Sequence, residues 1–215
     1  MVKFSAGFAL VSALSVASAA TTYRVRVRNL TYQQPFSPIF VVAHTRDISL
    51  FQEGQVASDA IRTMAEDGDN SALVELAGSE EVSQYICGAV VGDAPVFPGG
   101  EWRGTMEVDD DCEDPKFSLV SMLINTNDGF MGIDTDDLET TKVYPPCYDA
   151  GTEINNEVCT DIPGPGCGAD SGNAQAGEGE GYIHVHRGVH GIADLADSEY
   201  DWRNPVAEVF VSKQH

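Results

Sequence analysis

The chain has 215 residues, of which 12 are Lys or Arg and 34 are Asp or Glu, so its formal net charge is −22. This charge argues against nucleic acid as a partner and against docking on an anionic membrane, because both need clustered Lys and Arg. The hydrophobic fraction of 42% excludes a disordered chain, and 21 Gly with 10 Pro favour a loop-rich β protein over a helical bundle.

Residues 1–20 have the features of a secretory signal peptide. Lys3 supplies a positive start, an apolar run extends from Phe4 to Ala17, and small residues continue to Ala20. The apolar run is too short to cross a bilayer, so we expect cleavage near Ala20 and a secreted protein with no membrane span. We therefore assign residues 21–215 to one domain.

Short segments typical of β-strands follow one another along the rest of the chain. Apolar and basic residues alternate from Tyr23 to Arg28, which predicts a half-buried strand whose arginines face acidic neighbours. Residues 57–64 and 71–77 have helix-compatible spacing and predict a short helical insertion. Further segments predict strands at residues 39–43, 102–108, 117–124, 130–133 and 206–211, and a long Gly-rich loop at 161–181. Together they predict an all-β fold, an antiparallel β-sandwich with long loops.

Five cysteines follow the signal segment, at positions 87, 112, 147, 159 and 167. An extracellular setting favours disulfides, and the odd number leaves at least one cysteine free or paired between chains. The sequence does not determine which cysteines pair.

Asn29-Leu30-Thr31 is a glycosylation sequon that an enzyme could use only if this strand end is exposed.

Clustered side-chain oxygens occur in three loop segments, residues 125–128, 134–137 and 149–153. A calcium ion takes about six to eight oxygen ligands, which several loops at one end of a scaffold can supply. Acidic loops are also common as solvated surface in a chain this negative. The spacing alone favours that second interpretation.

The segments around these loops resemble a known family. Residues 121–134 are similar to a strand-loop-strand of the spondin N-terminal domain, of the F-spondin and mindin type. Tyr148-Asp149-Ala150-Gly151-Thr152-Glu153 matches the corresponding segment of that domain almost letter for letter. Residues 35–38 and 204–209 resemble its opening region and its closing strand. The resemblance extends over about residues 22–211, as in a single-domain microbial member of the family.

The resemblance implies a C2-like antiparallel β-sandwich of extracellular matrix and adhesion proteins, with calcium held by acidic loops at one end. Carried over by motif, the calcium ligands are Asp128, Asp149 and Glu153, with Asp134 as a further candidate. The loop sequence Asn-Thr-Asn-Asp-Gly departs from the family pattern, so its geometry can differ. We therefore expect a calcium-binding extracellular module whose partner is a protein or a glycan.

A histidine cluster favours an alternative metal. His184 and His186 lie two residues apart, so on a strand they would face the same side. His190 could return from the following turn, and His44 could add a fourth imidazole. Neutral imidazole suits zinc or copper. The alternative is structural, a polar strand end whose histidines form hydrogen bonds.

Enzyme function is the less favoured hypothesis. Glu180 and Asp194 are candidate acids or bases near the histidines, but the sequence does not fix their positions. The chain lacks the Gly-x-Ser-x-Gly, His-Glu-x-x-His and phosphate-loop motifs. We therefore expect a binding module, with a zinc or copper protein or metalloenzyme as the alternative.

Overall fold

The computed structural model describes residues 20–135, 142–168, 172 and 177–214. The predicted signal segment, residues 1–20, lies outside the described residues except for Ala20, and the Gly-rich loop lies partly outside them. Within the described ranges, two antiparallel sheets pack as a sandwich and the helices are few and short. The predicted β-sandwich is therefore confirmed. The described residues contain no helix long and apolar enough to cross a membrane.

The smaller sheet consists of three strands, β1 (Ala20–Asn29), β4 (Glu101–Asp109) and β9 (Ala207–Lys213). The larger sheet consists of β2 (Phe40–His44), β3 (Ile86–Val91), β5 (Lys116–Met122), β6 (Gly129–Thr135), β7 (Cys147–Asp149) and β8 (His184–Val185). The strand orders are β4-β1-β9 and β3-β2-β5-β6-β7-β8. The helices are α1 (Asp59–Asp67), α2 (Ser71–Ala77) and α3 (Asp197–Tyr200), with a 3-10 helix at Ser83–Tyr85.

The core between the sheets follows from the alternation in β1. Tyr23, Val25 and Val27 are buried against the larger sheet, whereas the arginines between them lie on the outer face of the smaller sheet. Side chains on successive strand residues point to opposite faces, so one strand supplies both surfaces. The predicted half-buried strand is confirmed.

A second core lies on the other face of the larger sheet, under α1. This helix begins where the Ser58 hydroxyl accepts a hydrogen bond from the Ile61 N–H, and it ends at Gly68, which has a left-handed φ of 68°. Its apolar face packs against Phe40 and Val42 of β2. Because β2 is covered on both faces, its sequence is an unbroken apolar run rather than an alternating one.

Asn29 joins the end of β1 to two neighbouring segments. Its side chain is fully buried; the amide group donates to the carbonyls of Gln34 and Val96 at 2.8 and 2.9 Å. Its side-chain oxygen accepts from the N–H and the hydroxyl of Thr31. The amide that a glycosylating enzyme would modify is therefore enclosed in the folded protein.

We expect Asn29→Asp to lower the free energy of unfolding by about 3 kcal/mol, because it replaces an amide donor with a buried carboxylate facing two carbonyls. Urea denaturation measures this change. Gln33→Glu makes the same amide-to-acid change on an exposed side chain and should have little effect. Equal losses in both variants would contradict the role given to Asn29.

Two disulfides and one free thiol account for the five cysteines. Cys87 pairs with Cys112, which connects β3 to the turn after β4, and Cys159 pairs with Cys167 within a loop. Cys147 is free and fully buried in β7. Burial raises the pKa of the Cys147 thiol well above its ordinary value, so this thiol is protected from reaction.

Titration with a thiol reagent should therefore detect almost no reactive cysteine in the native protein at neutral pH and one per chain after unfolding. The physical reason is that the reagent needs an accessible thiolate. A disulfide-linked dimer on a non-reducing gel, lost in Cys147→Ser, would contradict the buried free thiol.

Candidate functional site

Three neighbouring strands bring predicted ligands to one end of the larger sheet. Gly129 of β6 pairs with Asp149 of β7, and Asp149 pairs with His184 of β8. Asp128 directly precedes β6, and its carbonyl accepts a hydrogen bond from the Ala150 N–H at 3.1 Å. Asp128, Asp149 and His184 are distant in sequence but lie side by side at this end of the larger sheet. We call it the loop end.

Asp128 is completely buried and holds the loop that follows β7. Its Oδ2 accepts three hydrogen bonds, from the N–H of Thr152 at 2.7 Å, the Thr152 hydroxyl at 3.1 Å and the N–H of Glu153 at 3.0 Å. Its Oδ1 is buried and has no hydrogen-bond partner among the described residues. Burial, helped by the charge of Asp149, raises the pKa of Asp128 to about 7.

Asp149 is also buried, and the Tyr148-Asp149-Ala150-Gly151 motif explains its orientation. Its Oδ1 accepts from the Gly151 N–H at 2.7 Å, and its Oδ2 accepts from the Asn155 amide at 2.5 Å. Gly151 has a φ of 69°, and a Cβ there would lie 2.3 Å from the Tyr182 carbonyl, so the tight turn requires glycine. Burial raises the pKa of Asp149, and these two hydrogen bonds oppose that rise.

Asp149, Glu180 and His184 form a group that can hold a metal ion. One ligand atom from each side chain lies within 4.8 Å of those of the other two. His184 Nε2 lies 3.8 Å from Asp149 Oδ2; it is buried and has no hydrogen-bond partner among the described residues. An unpartnered imidazole nitrogen beside two carboxylates is a donor set that suits a divalent cation, so the residues present fit such an ion.

Glu153, a predicted calcium ligand, faces a different cleft. Its buried side chain lines this cleft together with Arg62 and Glu178. The pKa of Arg62 is raised mainly by Glu66, with a smaller contribution from the charge of Glu153. The backbone N–H of Glu153 still binds Asp128, so Glu153 contributes to the loop end through its main chain.

Asp134 and His44 lie together at the far end of β6. Asp134 is five residues beyond Gly129, about 17 Å along the strand. Its Oδ1 accepts from Lys116 at 2.8 Å and from the Ser118 hydroxyl at 2.7 Å. His44 Nε2 lies 2.8 Å from the same hydroxyl. These contacts form a hydrogen-bonded network separate from Asp149.

His186 and His190 occupy surroundings different from that of His184. His186 packs against Trp202 with ring centroids 5.0 Å apart, and its Nδ1 accepts from the Gly188 N–H at 2.9 Å. Burial, followed by the charges of the neighbouring histidines, lowers the pKa of His186 to about 3, so the ring is neutral. The His190 side chain is 56% exposed, with its Nδ1 3.8 Å from Glu157 Oε1. Among the described residues, His184 is thus the one histidine of the three that joins a group of possible metal ligands.

The sequence named Glu180 only as a candidate acid or base near the histidines, and did not predict it as a metal ligand beside Asp149. Glu180 lies after a Gly-rich stretch, where no periodicity indicates which way a side chain faces. The pairing of β7 with β8 brings its segment to Asp149, and both strands are too short to give a periodic signal. Its position four residues before His184 is the only sequence signal that could have suggested the pair.

We expect Asp128→Asn to stabilise the protein at pH 7 in the presence of a chelator, by on the order of 2 kcal/mol, and to have little effect at pH 4. The folded-state pKa of Asp128 is raised to about 7. Its stabilising contribution is therefore complete below about pH 4, where the unfolded carboxyl also keeps its proton, and is lost as the pH rises through 7. Urea denaturation of both proteins at the two pH values measures the difference. A variant equally destabilised at both values would contradict the assignment.

Comparison with known proteins identifies the family of this chain. A family model described as Spondin_N matches residues 23–153, which include Asp128, Asp149 and Glu153. Spondin-2 of Homo sapiens is 29% identical over 128 residues, and Spondin-2 of Rattus norvegicus is 30% identical over 133 residues. Each match covers 55% of this chain and 38% of the relative, so the chain corresponds to well under half the length of either protein. The chain belongs to the spondin N-terminal domain family.

Proposed function

We propose that this chain is a secreted extracellular binding module whose loop end binds a divalent cation through Asp149, Glu180 and His184. The observation that carries the proposal is the convergence of these three side chains, with His184 Nε2 buried and unpartnered among the described residues. Family membership and two disulfides are consistent with an extracellular protein.

The electrostatics of the loop end support a bound cation. Asp128 and Asp149 are buried beside each other in a chain of net charge −22, and the pKa of each is raised. Without a cation, ionising both carboxylates at neutral pH costs free energy. A cation that binds only the folded state would offset that cost and stabilise the protein by mass action.

The donor set favours a zinc-type ion, because an imidazole nitrogen with two carboxylates is common in zinc sites and calcium prefers oxygen ligands. Calcium is the second candidate. It is favoured by Oδ1 of Asp128, which has no hydrogen-bond partner within the described ranges and offers an oxygen near Asp149. Copper also takes imidazole ligands.

The bound ion would connect β7, β8 and the segment around Glu180. Glu180 is exposed, and the next residue ties its segment to the loop after β7 through the hydrogen bond from the Gly181 N–H to the Gly151 carbonyl at 2.8 Å. A cation would order this surface for an extracellular protein or glycan. The site therefore has a structural or regulatory role in this proposal rather than a catalytic one.

Thermal melting with chelator, calcium, zinc or copper tests the proposal, together with elemental analysis of protein purified without added metal. We expect zinc to raise the melting temperature above that in chelator. A rise with calcium alone would favour the second candidate. No shift with any of these ions at millimolar concentration would contradict a cation site.

Glu180→Gln should weaken zinc binding roughly tenfold, because it removes one charged ligand from the set. It should leave the stability in chelator unchanged or slightly higher, since this side chain is exposed and its charge opposes ionisation of Asp149. Calorimetric titration with zinc measures the affinity. Glu178→Gln is the matched control, because it removes the same charge from an exposed position that faces the Arg62 cleft instead. Equal weakening in both variants would indicate a general charge effect and contradict the assignment of Glu180.

A further inference from the structure

The outer face of the smaller sheet carries a basic groove in an otherwise acidic protein. The groove has a volume of about 520 Å³, and Arg24, Arg26, Arg103 and Lys142 line it. Four of the 12 Lys and Arg residues of the chain therefore converge on one surface. Among the described residues, no Asp or Glu lines the groove.

The neighbouring carboxylates neutralise only part of this charge. Glu208 lies 2.8 Å from Arg26 and 2.9 Å from Lys142, while Glu101 lies 2.5 Å from Arg103 and 3.6 Å from Arg26. Three cations thus share two carboxylates. Arg24 is exposed and makes no ion pair within the described part of the chain.

Glu107 is the carboxylate that the strand register places nearest to Arg24, but its hydrogen bond is to Thr22 rather than to Arg24. It lies one cross-strand row further along the outer face and accepts a hydrogen bond from the Thr22 hydroxyl at 2.7 Å. The groove therefore keeps an excess of positive charge, with Arg24 as its least neutralised member.

The strand register surrounds Arg24 with donors. Thr105 of β4 and Ser212 of β9 flank Arg24 in one row, and both contribute to the groove. In the next row, Arg26 pairs with Phe210, and its guanidinium carbon lies 5.8 Å from the centre of that ring. Arg26 Nε is buried and has no hydrogen-bond partner in the part of the chain that the structure describes. The groove thus offers cationic and hydroxyl donors beside a partly exposed aromatic face.

We infer that this groove binds a linear anionic polysaccharide, one carrying sulfate or carboxylate groups. Guanidinium groups bind such anions through charge-assisted, often bidentate hydrogen bonds, and hydroxyls and an aromatic face suit the sugar rings. A slender polysaccharide chain contacts only the groove. An anionic bilayer would also face the rest of the surface and would be repelled by it, because the net charge of the protein is −22. The Debye length at physiological salt is about 8 Å, so the more distant acidic residues repel a slender chain only weakly.

The inference names a partner class for the extracellular binding role proposed above, and it rests on that role but not on the cation. The groove lies on the smaller sheet, whereas Asp149 and His184 lie on the larger one. Glycan binding measured in chelator therefore tests the groove alone, and its result does not depend on whether the cation site exists.

The experiment measures fluorescence anisotropy of a labelled, sulfated heparin-type hexasaccharide with the full-length protein, in chelator at 50 mM and 150 mM salt. We expect binding that weakens as the salt concentration rises, and an affinity at least about tenfold lower for Arg24→Glu. Arg46→Glu is the matched control. It changes the net charge by the same amount as Arg24→Glu. Arg46 is exposed, lies just beyond β2 of the larger sheet and is 2.8 Å from Asp114. This control should change the affinity less than about twofold.

Three further probes separate the alternatives. A neutral hexasaccharide should not bind, and single-stranded DNA and phosphatidylserine vesicles should bind more weakly than the sulfated sugar. Absence of binding to the sulfated sugar at 50 mM salt would overturn the inference, as would equal losses in the two arginine variants. Tighter binding of DNA or vesicles would overturn the glycan assignment. Melting of each variant in chelator checks that it is folded.

Discussion

Two buried carboxylates, Asp128 just before β6 and Asp149 at the end of β7, are the constraint on which the loop end depends. One oxygen of Asp128 accepts hydrogen bonds from the backbone of Thr152 and Glu153. Both oxygens of Asp149 accept hydrogen bonds from the loop that follows it. These hydrogen bonds hold the loop in place, but they satisfy the two charges only in part, as the raised pKa values of both groups show. The geometry that positions the loop therefore also creates an electrostatic cost that a cation can remove.

The sandwich keeps this pair in position from two sides. The β5–β6 hairpin is central in the larger sheet and buried on both faces, so the turn that carries Asp128 begins from fixed strand ends. Strands β7 and β8 are short, but each pairs in register with its neighbour, which places Asp149 between Gly129 and His184. The rigid strands define one side of the site and loops provide the other. This division is typical of binding sites on β-scaffolds.

Periodicity in the sequence was enough to predict most of the fold but only half of the site. Strand β1 alternates and β2 is continuously apolar, and both patterns follow from which faces are covered. Strands of two and three residues carry no such signal, so the pairing that brings His184 to Asp149 could not be predicted from spacing. The sequence therefore assigned the carboxylates and the histidines to two alternative metals. The structure brings Asp149 and His184 together with Glu180, whereas Asp134, His44, His186 and His190 make other contacts.

The boundary of the family match divides the residues considered as metal ligands. Residues 23–153 contain Asp128 and Asp149, whereas Glu180 and His184 lie beyond the matched segment. The carboxylates of Asp128 and Asp149 therefore lie in the segment that matches the family model, and the imidazole of His184 lies outside that segment. A domain with only these two carboxylates would favour a hard cation such as calcium. In the proposed site, one additional imidazole would shift the donor set toward zinc without any change in the strands that hold Asp149. The preference for a cation can thus differ between two domains that share the same sheet, because it depends on a short loop and a two-residue strand at its edge.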